Sequence, residues 1–500
     1  MWPAGDTPLM DADRRDVMVR TQAASRRRRV VVLGAGLAGL AASEALVRHF
    51  GSRVEVLVLE GRQCAGGRVG SFQDPTMKMT VDYCQHVAMG CCANFLGLMR
   101  RCNLEVHWDV FSSLRFASRD FSNRLVRTWK WLPAPLHQLP ILWRLPFVSI
   151  RNRFQIQIAL WKIMRRSGGD WSDGVTARNW LLAQGQSRDS IELFWDVFAC
   201  SALGETTDNI SIASLRHLFV DGFVSHRDAS DLWIPRAPLS EIFGVELVNH
   251  LRSLGVQMQF GSFVERIDQH QAGFQVVTKS GDAYQADHVI SAVPWHQVGK
   301  LTETIADLRG LKAAADLKTS AITGIHLWFD RPLGDWSHLI SVGTATQWIF
   351  RPVWQSRPMV ESADHQLDAS HYYYQVVISG SQHWKHVSND ELQKIVLEEI
   401  RDLSPSCRDA RLVCSRIVTD PRAVIVCHPD IDKNRPPART ALPQFHLAGD
   451  WTATGWPSTM EGAVISGRNA VASLAREEGW EFCSGHAQPE RGWVTKMLVR

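Results

Sequence analysis

No stretch of this 500-residue chain approaches 18 uninterrupted apolar side chains, so the sequence offers no segment that reads as a spanning helix. The first 29 residues are rich in arginine, carry aspartates and lack the apolar core of a secretory signal, which predicts a cytoplasmic protein. Cysteine is sparse, at ten residues, and no two stand in a C-x-x-C arrangement. Because the closest pair, Cys91 and Cys92, is adjacent, the thiols read as free and mostly buried, and no metal site is expected. The formal net charge of +4 is too small to announce a nucleic-acid partner, and no reading motif for one is present. With 45% hydrophobic and 21% charged residues, disorder is excluded and two or three domains with a sizeable core are within reach.

Tyrosine is scarce against tryptophan, 5 to 20. Acid is missing altogether from Phe121 to Gly169, which carries nine Lys/Arg (Arg124, Arg127, Lys130, Arg144, Arg151, Arg153, Lys162, Arg165, Arg166) and Trp129, Trp131, Trp143 and Trp161. Indole rings beside cationic side chains suit a membrane–water interface, so a peripheral membrane contact through 121–169 is one reading. The other is a Trp-rich wall of an ordinary domain whose basic residues are solvated or paired elsewhere.

Order begins at Val30-Val31-Val32-Leu33, an apolar run suited to a strand buried on both faces. Gly34-Ala35-Gly36-Leu37-Ala38-Gly39 follows and opens a helical stretch to His49; a second strand, 54–59, ends in Glu60. This strand, turn, helix, strand order is the context in which G-x-G-x-x-G binds a dinucleotide. Gly34 permits a tight turn, Gly36 lets backbone approach a pyrophosphate, and Gly39 lets helix pack on strand. Glu60, 21 residues after Gly39, stands where an acid accepts ribose hydroxyls. Gly66-Gly67-Arg68 favours a flavin diphosphate over a mobile nicotinamide. A predicted hairpin, 261–267 and 273–279, contains Val264, a further cofactor-binding candidate, and precedes a strand over 286–294. Near the C-terminus a strand stops at Gly449-Asp450, and a helix starting at Thr459-Met460 would point its dipole at a flavin.

The chain is therefore expected to be α/β, with a Rossmann-like, two-dinucleotide-binding FAD domain and an inserted α+β substrate domain. The expected boundaries are a disordered leader over 1–29, a discontinuous FAD-binding domain from 30–105, 235–300 and 439–480, a substrate domain from 106–234 and 301–438, and a C-terminal tail over 481–500.

These motifs, together with Met460-Glu461-Gly462-Ala463-Val464-Ile465-Ser466-Gly467, resemble the flavin amine oxidase and carotenoid desaturase superfamily across nearly the whole chain. Within it, Val81-Asp82-Tyr83-Cys84-Gln85-His86-Val87, Gly90-Cys91-Cys92-Ala93-Asn94, Trp233-Ile234-Pro235 and Gly449-Asp450-Trp451-Thr452-Ala453-Thr454-Gly455-Trp456-Pro457 look like the squalene-associated branch, the hydroxysqualene dehydroxylases. Two positions depart from that branch: Cys84 stands where glycine is usual, which questions the geometry of the turn carrying Gln85 and His86, and Gly204 replaces an asparagine.

The resemblance implies a reductive reaction on hydroxysqualene: an allylic hydroxyl leaves as water and hydride from reduced FAD takes its place. It also implies an unidentified electron donor and a long apolar pocket lined by Trp, Phe and Leu. An acid must assist the poor leaving group, and Asp82 and His86 are the candidates, with Glu205 and Asp208 behind them. Asp82, Cys84 and His86 would share one face if the strand continued through them. Three rivals remain: a carotenoid-type desaturase or isomerase, an amine oxidase, and a non-catalytic flavoprotein that escorts an isoprenoid. Amine oxidation is disfavoured because Gly324 stands near the place of the lysine that many amine oxidases use.

Overall fold

The structure is a computed structural model that describes residues 27–118, 121–166, 174–271, 273–355, 371–482, 487 and 491–499. Five strands, β1 (Arg28–Leu33), β2 (Val54–Leu59), β3 (Gln257–Gln259), β4 (His288–Ser291) and β5 (Phe445–Leu447), form a parallel sheet in the order β3-β2-β1-β4-β5. Val30 to Leu33 are buried because strands flank β1 on both edges and side chains cover both of its faces. The helix α1 (Leu37–Phe50) follows β1, and α2 (Met460–Glu477) follows β5. The two helices pack almost backbone to backbone. A Cβ on Gly467 would sit 2.4 Å from the Ala38 carbonyl oxygen, so this contact tolerates only glycine.

The strands of this sheet come from three separated stretches of chain, and the residues between them build a second body. There, a seven-stranded sheet runs in the order 412–425, 319–329, 372–379, 348–350, 338–341, 113–118, 121–127. Helices Ile150–Arg165, Ala177–Ala183, Asp196–Leu203 and Ile212–Gly222 bury their apolar faces in one cluster beside it. A small sheet joins the bodies, with Leu232–Pro235 pairing antiparallel to both Ala88–Met89 and Trp108–Phe111.

Several boundaries differ from the sequence reading. The first strand starts at Arg28 rather than Val30, where the Arg28 guanidinium pairs with Glu478 at 2.8 Å and the Arg29 N–H donates to Asp287 at 2.7 Å; residues 1–26 of the expected leader lie outside the described residues. The expected C-terminal tail includes a short helix, Trp493–Leu498, docked on the second body: the Gly492 N–H donates to the Ser225 carbonyl, and Thr495 Oγ1 to that of Val224. The expected hairpin is a three-stranded antiparallel sheet, Val264–His270, Gly273–Thr278 and Ala283–Ala286.

Candidate functional site: a dinucleotide cradle opening on an apolar cavity

The turn after β1 is built by glycine geometry. Gly34 has φ +100°, and its N–H donates to the Leu59 carbonyl at 2.8 Å, tying the turn to the end of β2. A Cβ on Gly39 would lie 2.0 Å from the Gly34 oxygen, and one on Gly67 would lie 3.1 Å from the Gly36 Cα. The Ala35, Gly36 and Gly66-Gly67 backbones thus meet with no side chain between them. Gly36 caps α1 without a side-chain acceptor, so the first-turn N–H groups, from Leu37 and Ala38 onward, are left for an external anion. Glu60 stands at the tip of β2; its carboxylate accepts the Ala35 N–H at 2.7 Å and the Arg62 N–H at 2.9 Å, directly beside this cradle. Val264 belongs to the next segment along, where Ser262 N–H donates to the Glu60 carbonyl. These residues fit a dinucleotide.

The second part of the cradle comes from the far end of the chain. Gly449 has φ +136°, and its N–H donates to Ser466 Oγ of α2 at 2.8 Å. Asp450 is buried and binds Arg68 through one carboxylate oxygen and Ser458 through the other. The Arg68 guanidinium also donates to the Ala423 carbonyl and lies over the Trp295 ring. Thr459 caps α2, accepting the Gly462 N–H at 3.3 Å, and Met460 begins the helix. Arg435, unforeseen from the sequence, holds this loop from beneath: it donates to the Asp450 and Trp456 carbonyls and to Thr454 Oγ1. An arginine fifteen residues upstream of Asp450 carries no motif of its own.

From Thr459, Met460 and Glu461 a cavity of about 210 Å³ extends into the second body between Val197, Phe198, Leu203, Leu218, Phe223, Ile340, Trp348 and Val377. Its wall is mostly apolar, with a few polar groups. Glu461 is buried, and its oxygens accept Asn94 N–H, Asn94 Nδ2 and Phe95 N–H at 2.6 to 3.0 Å; burial pushes the carboxyl up while these donors oppose the shift. Gln85 lines the cavity, and its Oε1 is buried without a partner. His217, which the sequence reading missed, lines it as well. Its Nδ1 lies 2.9 Å from Asp221, and its ring meets Trp456 edge-on at 4.2 Å. Its Nε2 is buried without a partner, a state that costs about 1–3 kcal/mol unless a ligand supplies one. Burial pushes Asp221 up, but bonding to His217 and Arg491 prevails and holds it below the usual carboxylate range. The legible signal is the i, i+4 spacing of His217 and Asp221, which puts the pair on one face of the helix Ile212–Gly222.

The structure places Asp82 and His86 beside this cavity, and neither is among its lining residues. The strand Thr80–Asp82 ends at Asp82, so Asp82, Cys84 and His86 do not share a strand face as expected. Asp82 is buried and accepts Ser71 Oγ at 2.6 Å and the Leu239 N–H at 3.0 Å through one oxygen; the other has no partner, and burial pushes the carboxyl up to about 7. His86 Nδ1 bonds the Cys84 carbonyl at 2.8 Å; burial first and then nearby Arg68 hold it low. The doubt over Cys84 is resolved, since this residue does not adopt positive φ and needs no glycine. Its thiol is pushed up to about 12 by burial and the Asp82 charge.

Of the two reserve candidates for the acid, Glu205 is buried, binding Gln382 and the Thr206 N–H, while exposed Asp208 pairs with Arg178 at 3.4 Å. Gly204 takes φ +72° as a helix cap. A Cβ at Gly324 would meet the Tyr83 oxygen at 2.9 Å, so a lysine there would not fit without shifting the chain. Among the described residues, one His/Glu group, His288, His446 and Glu477, is close enough to hold a metal. The two rings bond each other at 3.2 Å and reach Glu478 and Ser473, which makes a polar network under β4 and β5.

Residues 37–475 match the family of flavin containing amine oxidoreductases, and the chain belongs to that family. It is 24% identical over 490 residues to the 15-cis-phytoene desaturase of Solanum lycopersicum, covering 92% of this chain and 79% of the relative. It is also 24% identical to a probable zeta-carotene desaturase of Synechococcus elongatus, over 89% of this chain and 98% of the relative. Cyclohexylamine oxidase from Brevibacterium oxydans superposes with a TM-score of 0.63 at 16% identity, covering 91% of this chain and all of that one. The protein is thus an FAD-dependent oxidoreductase of the amine oxidase and carotenoid desaturase type, with the expected α/β fold and cofactor.

Proposed function

We propose that this chain acts on a long isoprenoid, and that its reaction is the reductive removal of the allylic hydroxyl of hydroxysqualene to give squalene. The observation that carries the reading is the cavity: an apolar channel beginning at the α2 N-terminus and lined by His217, whose ring has one nitrogen without a partner. A pure hydrocarbon has no atom to satisfy that nitrogen, whereas an alcohol has one. The branch motifs around Asp82 to Val87 and Trp456-Pro457 support the same choice. Bound FAD, when reduced, supplies hydride; the glycine turn and α1 would hold its diphosphate, Glu60 its ribose, and Arg68 with Asp450 the segment nearer the ring. The chain's own contribution is to exclude water from an allylic cation, which water would return to alcohol, and Val197, Phe198, Leu218, Phe223 and Trp348 do so.

Desaturation of a carotenoid-type polyene is the second reading, and the relatives' names support it more directly than they support dehydroxylation. One experiment separates the two. Purified protein is reduced anaerobically with dithionite and mixed with hydroxysqualene in detergent. Squalene formation with return of the oxidised flavin spectrum is the expected result. Flavin that stays reduced, with no squalene, overturns dehydroxylation; oxidised protein with a phytoene-like polyene then tests desaturation.

A lipid substrate also has to reach the protein, and we propose that the basic, Trp-rich segment meets an anionic membrane surface. No helix among the described residues is long and apolar enough to cross one. The helix Ile150–Arg165 buries Ile156, Ala159 and Ile163, and turns Ile150, Phe154, Ile158 and Trp161 outward on a single stripe. Exposed Trp143 packs edge-on against Phe154, and Trp131, 72% exposed, stacks on Trp129. Arg144 lies over Trp129 and Arg165 over Trp161. Other basic residues are engaged elsewhere: Lys130 pairs with Asp228 and Asp231, and Arg153 caps three carbonyls.

A further inference from the structure

The helix Ile212–Gly222 brings to the cavity a titratable pair that cofactor binding does not use. His217 Nδ1 faces the Asp221 carboxylate at 2.9 Å, and Arg491, from the C-terminal segment, holds that carboxylate from the other side at 3.2 Å. A carboxylate can only accept, so Nδ1 carries a proton, and Nε2 is the other nitrogen, buried and unpartnered on a residue that lines the cavity. Glu461, the other ionisable group on this wall, has both oxygens committed to Asn94 and Phe95.

We propose that His217 is the catalytic acid, donating a proton from Nε2 to the hydroxyl oxygen of the substrate. This rests on the dehydroxylation reading. As the allylic C–O bond breaks, its electron pair stays with oxygen, and the proton leaves Nε2 for that oxygen; water departs. The C–H bond at the allylic carbon would then form with a hydride, carrying its own electron pair, which FAD would supply when reduced, so one proton and one hydride convert the alcohol to hydrocarbon and water. Two electrons per turnover enter from a reductant, dithionite in the test below. Histidine left neutral is recharged from solvent. Asp221 acts as a positioning residue, fixing the ring through Nδ1. The charged and titratable groups around the imidazole are Asp221 and Arg216 on its own helix, Arg491 from the C-terminal segment, Glu461 from α2, and the Cys91 and Cys92 thiols of the cavity wall.

The test uses the FAD-loaded, dithionite-reduced protein with hydroxysqualene, and the variants H217F, H217Q and D221N. General acid catalysis contributes about 10²–10⁴-fold, so single-turnover flavin reoxidation should slow at least about 100-fold in H217F. The oxidised flavin spectrum and melting temperature should match wild type. Alcohol binding to the oxidised protein, read as a perturbation of the flavin band, should weaken about tenfold in H217F while squalene binding holds. H217Q keeps a hydrogen-bond donor without a transferable proton, so it should bind the alcohol yet turn over no faster than H217F. D221N should slow single-turnover reoxidation while alcohol and squalene binding hold, the split expected of a residue that orients the acid without touching substrate.

A rate within threefold of wild type in H217F overturns the proposal. So does parallel loss of alcohol and squalene binding in both His217 variants, which would mark a packing role. Wild-type protein that binds FAD but makes no squalene overturns instead the reading on which the proposal rests.

Discussion

The two ends of the candidate site are built on opposite principles. At the cofactor end, side chains are excluded: Gly34, Gly36, Gly39, Gly67 and Gly467 bring backbone against backbone, leaving N–H groups to do the binding. At the substrate end, side chains do everything, and large apolar ones from helix, strand and loop surround the cavity. Backbone recognition ties function to particular residues at fixed spacing, because no side chain larger than hydrogen fits. A wall of apolar side chains ties it only to total volume and shape, which many sequences can supply. The difference predicts how each end should respond to substitution.

The largest effect is expected from G39V. Its Cβ would fall 2.0 Å from the Gly34 oxygen, which no rotamer relieves, so the protein should lose bound FAD and much of its thermal stability. The flavin-to-protein absorbance ratio after gel filtration and a melting curve would read this. Retention of stoichiometric flavin would show that the cradle is less rigid than its contacts imply. At the other end, A202F adds volume to the cavity wall. It should reduce turnover at least about 100-fold by filling the substrate volume while flavin content and melting temperature stay near wild type. If A202F also loses flavin, the two ends are not separable.

The same contrast explains what could be read in the sequence. Every glycine of the cradle, Glu60, Arg68 and the Gly449-Asp450 pair stands in a motif, since each is fixed by a backbone need that leaves a trace at one position. Arg435 performs comparable work on the Asp450 loop but answers to carbonyls whose position only the folded chain defines. His217 was hidden for another reason: a histidine between Arg216 and Leu218 carries no motif of its own, and only the meeting of that helix with Trp456 and Glu461 reveals the cavity beside it. Asp82 and His86 drew attention as a motif, and the fold brings them to the seam between the bodies.

The outer face of the second body tests whether its surface apolar residues differ in purpose from those inside. Charge reversal at Arg144, Arg151 and Arg165 together should weaken binding to anionic liposomes by more than tenfold, since each basic residue near such a surface contributes about 1 kcal/mol. Turnover of detergent-solubilised substrate should be unaffected. Co-sedimentation with vesicles of phosphatidylserine and phosphatidylcholine would measure it, and unchanged binding would sink the membrane proposal.

The smallest expected effect lies where the two bodies meet. Asp82 reaches from the first body to the Leu239 N–H, and Gln375 of the seven-stranded sheet donates to the Asp82 carbonyl at 3.1 Å. Burial raises this carboxyl from the ordinary 3.8 to about 7, so between those values the folded protein holds a proton that the unfolded chain has released. Folding is then linked to proton uptake, and the stability this group contributes is complete below about pH 4 and lost as pH rises through 7. D82N keeps an acceptor for Ser71 and Leu239 but cannot ionise, so its melting temperature should fall less between pH 5 and pH 8 than that of wild type, by a few degrees. Equal pH dependence in both proteins would mean that water or the bound cofactor stabilises the Asp82 carboxylate, and that this seam belongs functionally with the cradle rather than between the two ends.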